Sequence, residues 1–178
     1  MIRNYYNHTG LTLIELIISL AILSILMTIG IASYNGVFSQ QALINRAEHI
    51  YHFLRLANTQ AVKFNHKVYV KFCQLNTTDS WKMAMSAQSG CDCFTLNSCQ
   101  LDGLEVIEDV ADGRALFTSA TDITFTNEQA SYSPMRFGIN TGSITISGVN
   151  GLKLKVIQST MRLRICSPEQ DQLGYKKC

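Results

Sequence analysis

Gly10-Leu11-Thr12-Leu13-Ile14-Glu15-Leu16 runs without a break into an apolar stretch that continues to Ile31. A carboxylate near the start of a would-be membrane helix is costly, and such residues usually face a partner. A short polar leader, residues 1–10, ends at the glycine that precedes this stretch. The combination reads as an assembly signal rather than as an ordinary anchor.

Residues 11–31 match the roughly 20 apolar residues that span a bilayer core. Arg3 precedes them, which favours an N-terminus held in the cytoplasm. The competing reading is a secretory signal, since Gly30-Ile31-Ala32 fits a small-x-small cleavage site. Release there would leave a soluble, disulfide-bonded periplasmic binding domain starting at Ser33. Two observations oppose it. Glu15 gains nothing in a disposable segment, where a central charge costs roughly 2.5–3.5 kcal/mol on insertion scales. The pattern downstream also continues one helix instead of starting another. Leu43, Ala47, Ile50, Leu54, Ala57, Ala61 and Phe64 recur every three or four residues, while Arg46, Glu48, Arg55 and Lys63 lie off that stripe. Residues 11–64 thus read as a single helix about 80 Å long. Gly30 and Gly36 are points where it can bend.

The chain has 178 residues, enough for one domain beyond the helix. Charged residues make up only 16%, and the net charge of +2 does not announce a nucleic-acid protein. The charges are nonetheless segregated. Asp102, Glu105, Glu108, Asp109 and Asp112 cluster in one stretch, whereas Lys153, Lys155, Arg162, Arg164, Lys176 and Lys177 fill the last.

After Asn65-His66 the period becomes two. Strands are expected over 68–73, 81–85, 104–110, 121–126, 135–139, 143–149, 152–157 and 161–166, with 86–102 a cysteine-rich loop. Asn150-Gly151 is a strong hairpin turn. One long helix followed by sequential short-turn strands gives an α+β fold with an antiparallel sheet. The organisation is leader 1–10, transmembrane or filament-core helix 11–31, amphipathic continuation 32–65, and β-rich globular domain 66–178.

Cys73, Cys91, Cys93, Cys99, Cys166 and Cys178 all follow the apolar segment, and an even count in an exported domain favours disulfides. A pair between Cys166 and Cys178 would close the C-terminal loop. A metal site on Cys91, Cys93 and Cys99 lacks a paired C-x-x-C. His49 and His52 beside Glu48 offer too few ligands for zinc. The acidic cluster lacks the spacing of a calcium loop. With no supported nucleophile–base arrangement, neither an enzyme nor a cofactor is expected. Trp81 and Phe137 are expected in the core.

Gly10-Leu11-Thr12-Leu13-Ile14-Glu15-Leu16 resembles the prepilin signature of type IV pilins and type II secretion pseudopilins, where Phe more often follows the glycine. The resemblance implies cleavage between Gly10 and Leu11 by a prepilin peptidase and N-methylation of Leu11. It implies, too, pairing of Glu15 with the N-terminal amine of a neighbouring subunit. Leu54-Arg55-Leu56-Ala57, Ala61-Val62-Lys63 and Arg162-Leu163-Arg164-Ile165-Cys166 resemble the GspH/FimT branch, with Met161 where that branch often has glycine. That likeness implies a minor pilin acting with other major and minor pilins in pilus initiation or at the tip. Its place would be the bacterial inner membrane, crossed once, and then the periplasm and the extracellular pilus. In FimT-type members it implies binding of double-stranded DNA for natural transformation. The alternative is a type II secretion pseudopilin without DNA binding.

Local chemistry bears on the DNA reading. Arginine stays charged and donates in pairs to phosphate. Alternation in a strand puts Arg162 and Arg164 on one face. A two- or four-residue turn would place Lys155 across from an arginine, whereas a three-residue turn would set the arginines opposite Leu154 and Val156. Lys153 joins on the same condition, and Lys176 and Lys177 if the tail folds back. The bland reading is a solvated outer face of an amphipathic sheet.

Overall fold

The computed structural model describes residues 12–74, 81–111, 118–135, 138, 140–148 and 151–178, with backbone alone at 28–35, 111 and 118–121. Helix α1 runs Leu13–Phe64. Thr12 stands at its start, and the backbone N–H of Glu15 donates to Thr12 Oγ1 at 3.4 Å. A Thr-x-x-Glu opening of this kind is a helix-start signature. Asn65, at φ 53°, ends the helix in the left-handed conformation that asparagine tolerates.

The chain divides into two compact units, Met1–Phe38 and Ser39–Cys178. In the first, the described side chains from Thr12 to Met27 are all exposed, including Leu13, Ile14 and Leu26. Among the described residues no helix is long and apolar enough to cross a membrane. The span expected over 11–31 falls partly outside them, at Leu11 and at the side chains from 28 onward.

In the second unit nine strands follow among the described residues: β1 Val68–Gln74, β2 Trp81–Ser86, β3 Gln100–Leu101, β4 Leu104–Ala111, β5 Thr118–Ile123, β6 Gln129–Tyr132, β7 Gly142–Gly148, β8 Lys153–Gln158 and β9 Leu163–Cys166. They form two sheets, ordered β3-β4-β2-β1-β6 and β5-β7-β8-β9, with every pair antiparallel. The single sheet expected from sequence is therefore two. The chain leaves the second sheet after β5, turns through Thr126–Glu128 with positive φ at Asn127 and Glu128, and enters the first sheet as β6.

One core joins helix and sheets. Leu43, Ala47, Ile50, Leu54, Ala57 and Ala61 are wholly buried against Val70, Phe72, Met83, Ile146, Leu154 and Val156. Each fully buried Leu or Ile contributes about 1.5–3 kcal/mol relative to exposure. Trp81 belongs to this core as expected; Phe137 lies outside the described residues. The strand expected over 135–139 is not found at its described positions. Met135 sits in a turn and Gly138 outside any strand, while 136, 137 and 139 lie outside the description. Gln129–Tyr132 takes the edge position instead. Asn140 completes that edge by accepting from Ser131 N at 2.9 Å and donating to the Gln129 carbonyl at 2.6 Å. A side chain thus supplies ladder bonds that a further strand would otherwise give.

Candidate functional site

Two regions carry the chemistry. Glu15 lies exposed in the first turn of α1. A carboxylate there complements the partial positive charge of the helix start. Thr12, which gives that turn its capping oxygen, was not singled out from sequence, although its spacing to Glu15 carries the signal. Gly10 and Leu11, the expected processing pair, lie outside the described residues.

The second region is the β8–β9 hairpin and the tail. Lys155 pairs with Cys166, and Ile157 with Arg164. Ser159 N donates to the Arg162 carbonyl at 2.9 Å, so Thr160 and Met161 form a two-residue tip. Leu154, Val156 and Gln158 point into the core. This even-length turn puts Lys153, Lys155, Arg162 and Arg164 on the outer face. A two-residue turn was expected to set Lys155 across from an arginine. With its tip at Thr160-Met161 it instead sets Arg164 across from Ile157 and Lys155 across from Cys166, so Lys155 is a diagonal neighbour of Arg164 about 7–8 Å away. Lys153 is not free in this group, because its Nζ lies 3.2 Å from Glu169 Oε1.

Beyond Cys166 the tail folds back. Ser167 N donates to the Lys176 carbonyl and Cys178 N to the Ser167 carbonyl, each at 2.9 Å. The Cys166–Cys178 disulfide fixes this arrangement, with the two Cα atoms 5.2 Å apart. Lys176 and Lys177 are thereby laid beside the end of β9, exposed. The tail is also moored to the helix: Tyr175 Oη donates to Glu48 Oε1 at 3.0 Å. Burial, then the Glu48 carboxylate, push the Tyr175 hydroxyl above its usual pKa. Asp171 accepts the Lys177 backbone N–H at 2.7 Å, which fixes the backbone that carries the two lysines.

The other cysteines pair as Cys73–Cys93 and Cys91–Cys99. The histidines do not converge: His49 contacts Glu108, and His52 meets Tyr51 edge-on with ring centroids 5.4 Å apart. Sequence reading missed the His49–Glu108 contact because 59 residues separate the partners.

A long helix backed by antiparallel sheets, opened by an acid in its first turn, defines the pilin-like class. The prokaryotic N-terminal methylation motif matches residues 6–31, and the family described as type II transport protein GspH matches residues 46–170. The chain belongs to that family: it is a minor pilin or pseudopilin of type IV pili or type II secretion. Among solved structures, the minor pseudopilin EpsH from the type 2 secretion system of Vibrio cholerae is similar at a TM-score of 0.50 and 15% identity. The match covers 71% of this chain and 98% of that one, and it supports the shared fold. No curated protein matches significantly.

Proposed function

We propose that the chain is a non-enzymatic minor type IV pilin that enters the filament at its initiation or tip. Prepilin peptidase removes residues 1–10, Leu11 is methylated, and the helix anchors the subunit in the inner membrane until assembly. Glu15 then pairs with the terminal amine of an adjacent major or minor pilin. In an apolar filament core that pair offsets the lost hydration of both charges, and its geometry selects the register. What supports this reading is the exposed acid at a capped helix start within the methylation motif.

The outward cations supply a second role, weak binding of double-stranded DNA for transformation. The observation that carries it is the shared face of Lys155, Arg162 and Arg164, with Lys176 and Lys177 beside it. Lys153 contributes less because Glu169 holds it. Binding of this kind reads phosphates, ignores sequence and falls steeply with salt. The test uses detergent-solubilised mature chain and a short duplex at low salt. Arg162→Gln with Arg164→Gln is expected to weaken binding several-fold and to flatten the salt dependence by roughly one logarithmic unit per lost contact. Equal binding by variant and wild type rejects the DNA role.

The family description favours a second reading, a type II secretion pseudopilin without DNA binding. Loss of protein secretion with intact pili after deletion of the chain selects it.

A further inference from the structure

The cysteine-rich loop beside β4 is fixed at many points. Cys91–Cys99 closes it and Cys73–Cys93 fastens it to β1. Asp92 accepts from Phe94 N at 3.0 Å and from Thr95 Oγ1 at 2.7 Å. These two donors hold the Asp92 carboxyl below its ordinary range. Asn97 N donates to Glu105 Oε1 at 2.9 Å, which joins the loop to β4. A segment so restrained loses little freedom on meeting a partner, and preorganisation of that kind favours binding. Yet it carries Leu96 at 83% exposure. It thus projects an apolar side chain from a frame that is already ordered.

Beside Leu96 opens a groove of about 460 Å³, walled by Phe94, Leu96 and Ile107, with Lys82, Glu108 and Asp109 around it. Glu105 and His49 complete its polar rim. Three carboxylates face one ammonium and one imidazole, and the Arg46 guanidinium stands at the edge beside Asp109. Glu108 contacts His49, and Lys82 Nζ lies 5.3 Å from the centre of the Phe94 ring. Among the described residues no side-chain partner holds Asp109, whose backbone carbonyl accepts from Arg46 at 3.2 Å. The remaining excess of negative charge and the aliphatic walls together suit a long cationic side chain.

We propose that this groove docks a lysine or arginine side chain, flanked by an aliphatic residue, from a neighbouring pilin-type subunit. The carboxylates of Glu105 and Asp109 meet the charge, Ile107 covers the aliphatic stem, and Leu96 takes the flanking residue. Duplex DNA and anionic lipid headgroups are disfavoured here, since the same carboxylates repel phosphate. The proposal rests on the reading of the chain as a filament subunit.

The test places a benzophenone amino acid at Leu96 of the full chain, in cells making the companion pilin-type subunits. The expected photoadduct joins the chain to another such subunit at a segment holding Lys or Arg beside an aliphatic residue. Glu105→Lys with Asp109→Lys lowers its yield at least tenfold, and reversing the mapped cation to Glu restores it. Disulfides intact on non-reducing gels show that the variant is folded. An adduct indifferent to charge reversal, one on a segment without a cation, one between copies of this chain, or none at all overturns the proposal. Chain that enters filaments without the adduct rejects the groove alone. Wild-type chain that never enters filaments rejects the subunit reading and the groove with it.

Discussion

The Arg164 guanidinium donates through Nη2 to the carbonyl oxygen of Cys178 at 3.4 Å, and Cys178 is covalently tied to Cys166, two residues along from Arg164. The disulfide therefore does more than close a loop. It holds the tail where Arg164 can rest against it and where Lys176 and Lys177 extend the cationic edge. Replacing both cysteines, Cys166→Ser with Cys178→Ser, is expected to cost about 2–4 kcal/mol of stability. Limited proteolysis should then cut within residues 167–178, and any DNA affinity should fall toward that of the Arg164→Gln variant. Unchanged proteolysis would show that Tyr175–Glu48 and the Ser167 backbone bonds hold the tail unaided.

Glu15→Gln keeps the shape and the helix start, because the capping bond runs from the backbone N–H of Glu15 to Thr12. Only the charge is lost. Leader removal is expected to proceed, since the bond cleaved lies between Gly10 and Leu11, while entry into filaments falls at least tenfold. Quantifying the mature chain in sheared filaments and in membranes separates the two steps. Thr12→Ala should leave incorporation closer to normal, at a helix-capping cost of about 1 kcal/mol.

Sequence periodicity located the helix stripe because burial of Leu43, Ile50, Leu54 and Ala61 follows the helical repeat directly. It omitted Phe53, equally core-facing at 3% exposure, since that residue sits beside the chosen stripe. The β6 edge escaped notice for another reason. Gln129-Ala130-Ser131-Tyr132 alternates over only four residues, with alanine and tyrosine as its apolar members, and its pairing is completed by Asn140 from further along the chain. At the cationic face the residues were legible but their arrangement was not. Sequence does not reveal a turn's length, and one residue more would have carried both arginines to the opposite side. The groove was invisible for a related reason: His49, Lys82, Phe94 and Glu108 meet only through sheet pairing and two disulfides.

Gly142 opens β7 in direct contact with Phe125, and a Cβ there would overlap the buried Phe125 ring. Phe125 in turn stacks on Phe72, with ring centroids 5.8 Å apart. Displacing one ring disturbs the core between the sheets. Gly142→Ala is expected to destabilise by about 1–3 kcal/mol, as overpacking generally does. Trp81, the sole tryptophan, is buried in the same core and reports the shift in unfolding midpoint by its fluorescence. Combining it with Phe125→Leu should recover part of the loss, because a smaller side chain makes room for the methyl.

Tyr132 and Gln158 link the two sheets through a buried hydrogen bond, the Tyr132 hydroxyl donating to Gln158 Oε1. Both side chains are almost fully enclosed. Tyr132→Phe leaves that carbonyl oxygen with an unmet lone pair, and the expected loss at neutral pH is about 1–3 kcal/mol. The pH dependence gives a sharper test. Burial pushes the Tyr132 hydroxyl well above its ordinary pKa, so the folded chain keeps a proton that the unfolded chain releases near pH 10. A raised folded-state pKa contributes stability that is complete below the unfolded value and declines as pH rises past it. Wild type should thus lose stability above about pH 10 more steeply than Tyr132→Phe. The gap between them, constant from pH 7 to 9, should narrow in that alkaline window. A gap that stays constant to pH 11 would mean that Tyr132 ionises as readily in the folded chain as in the unfolded one.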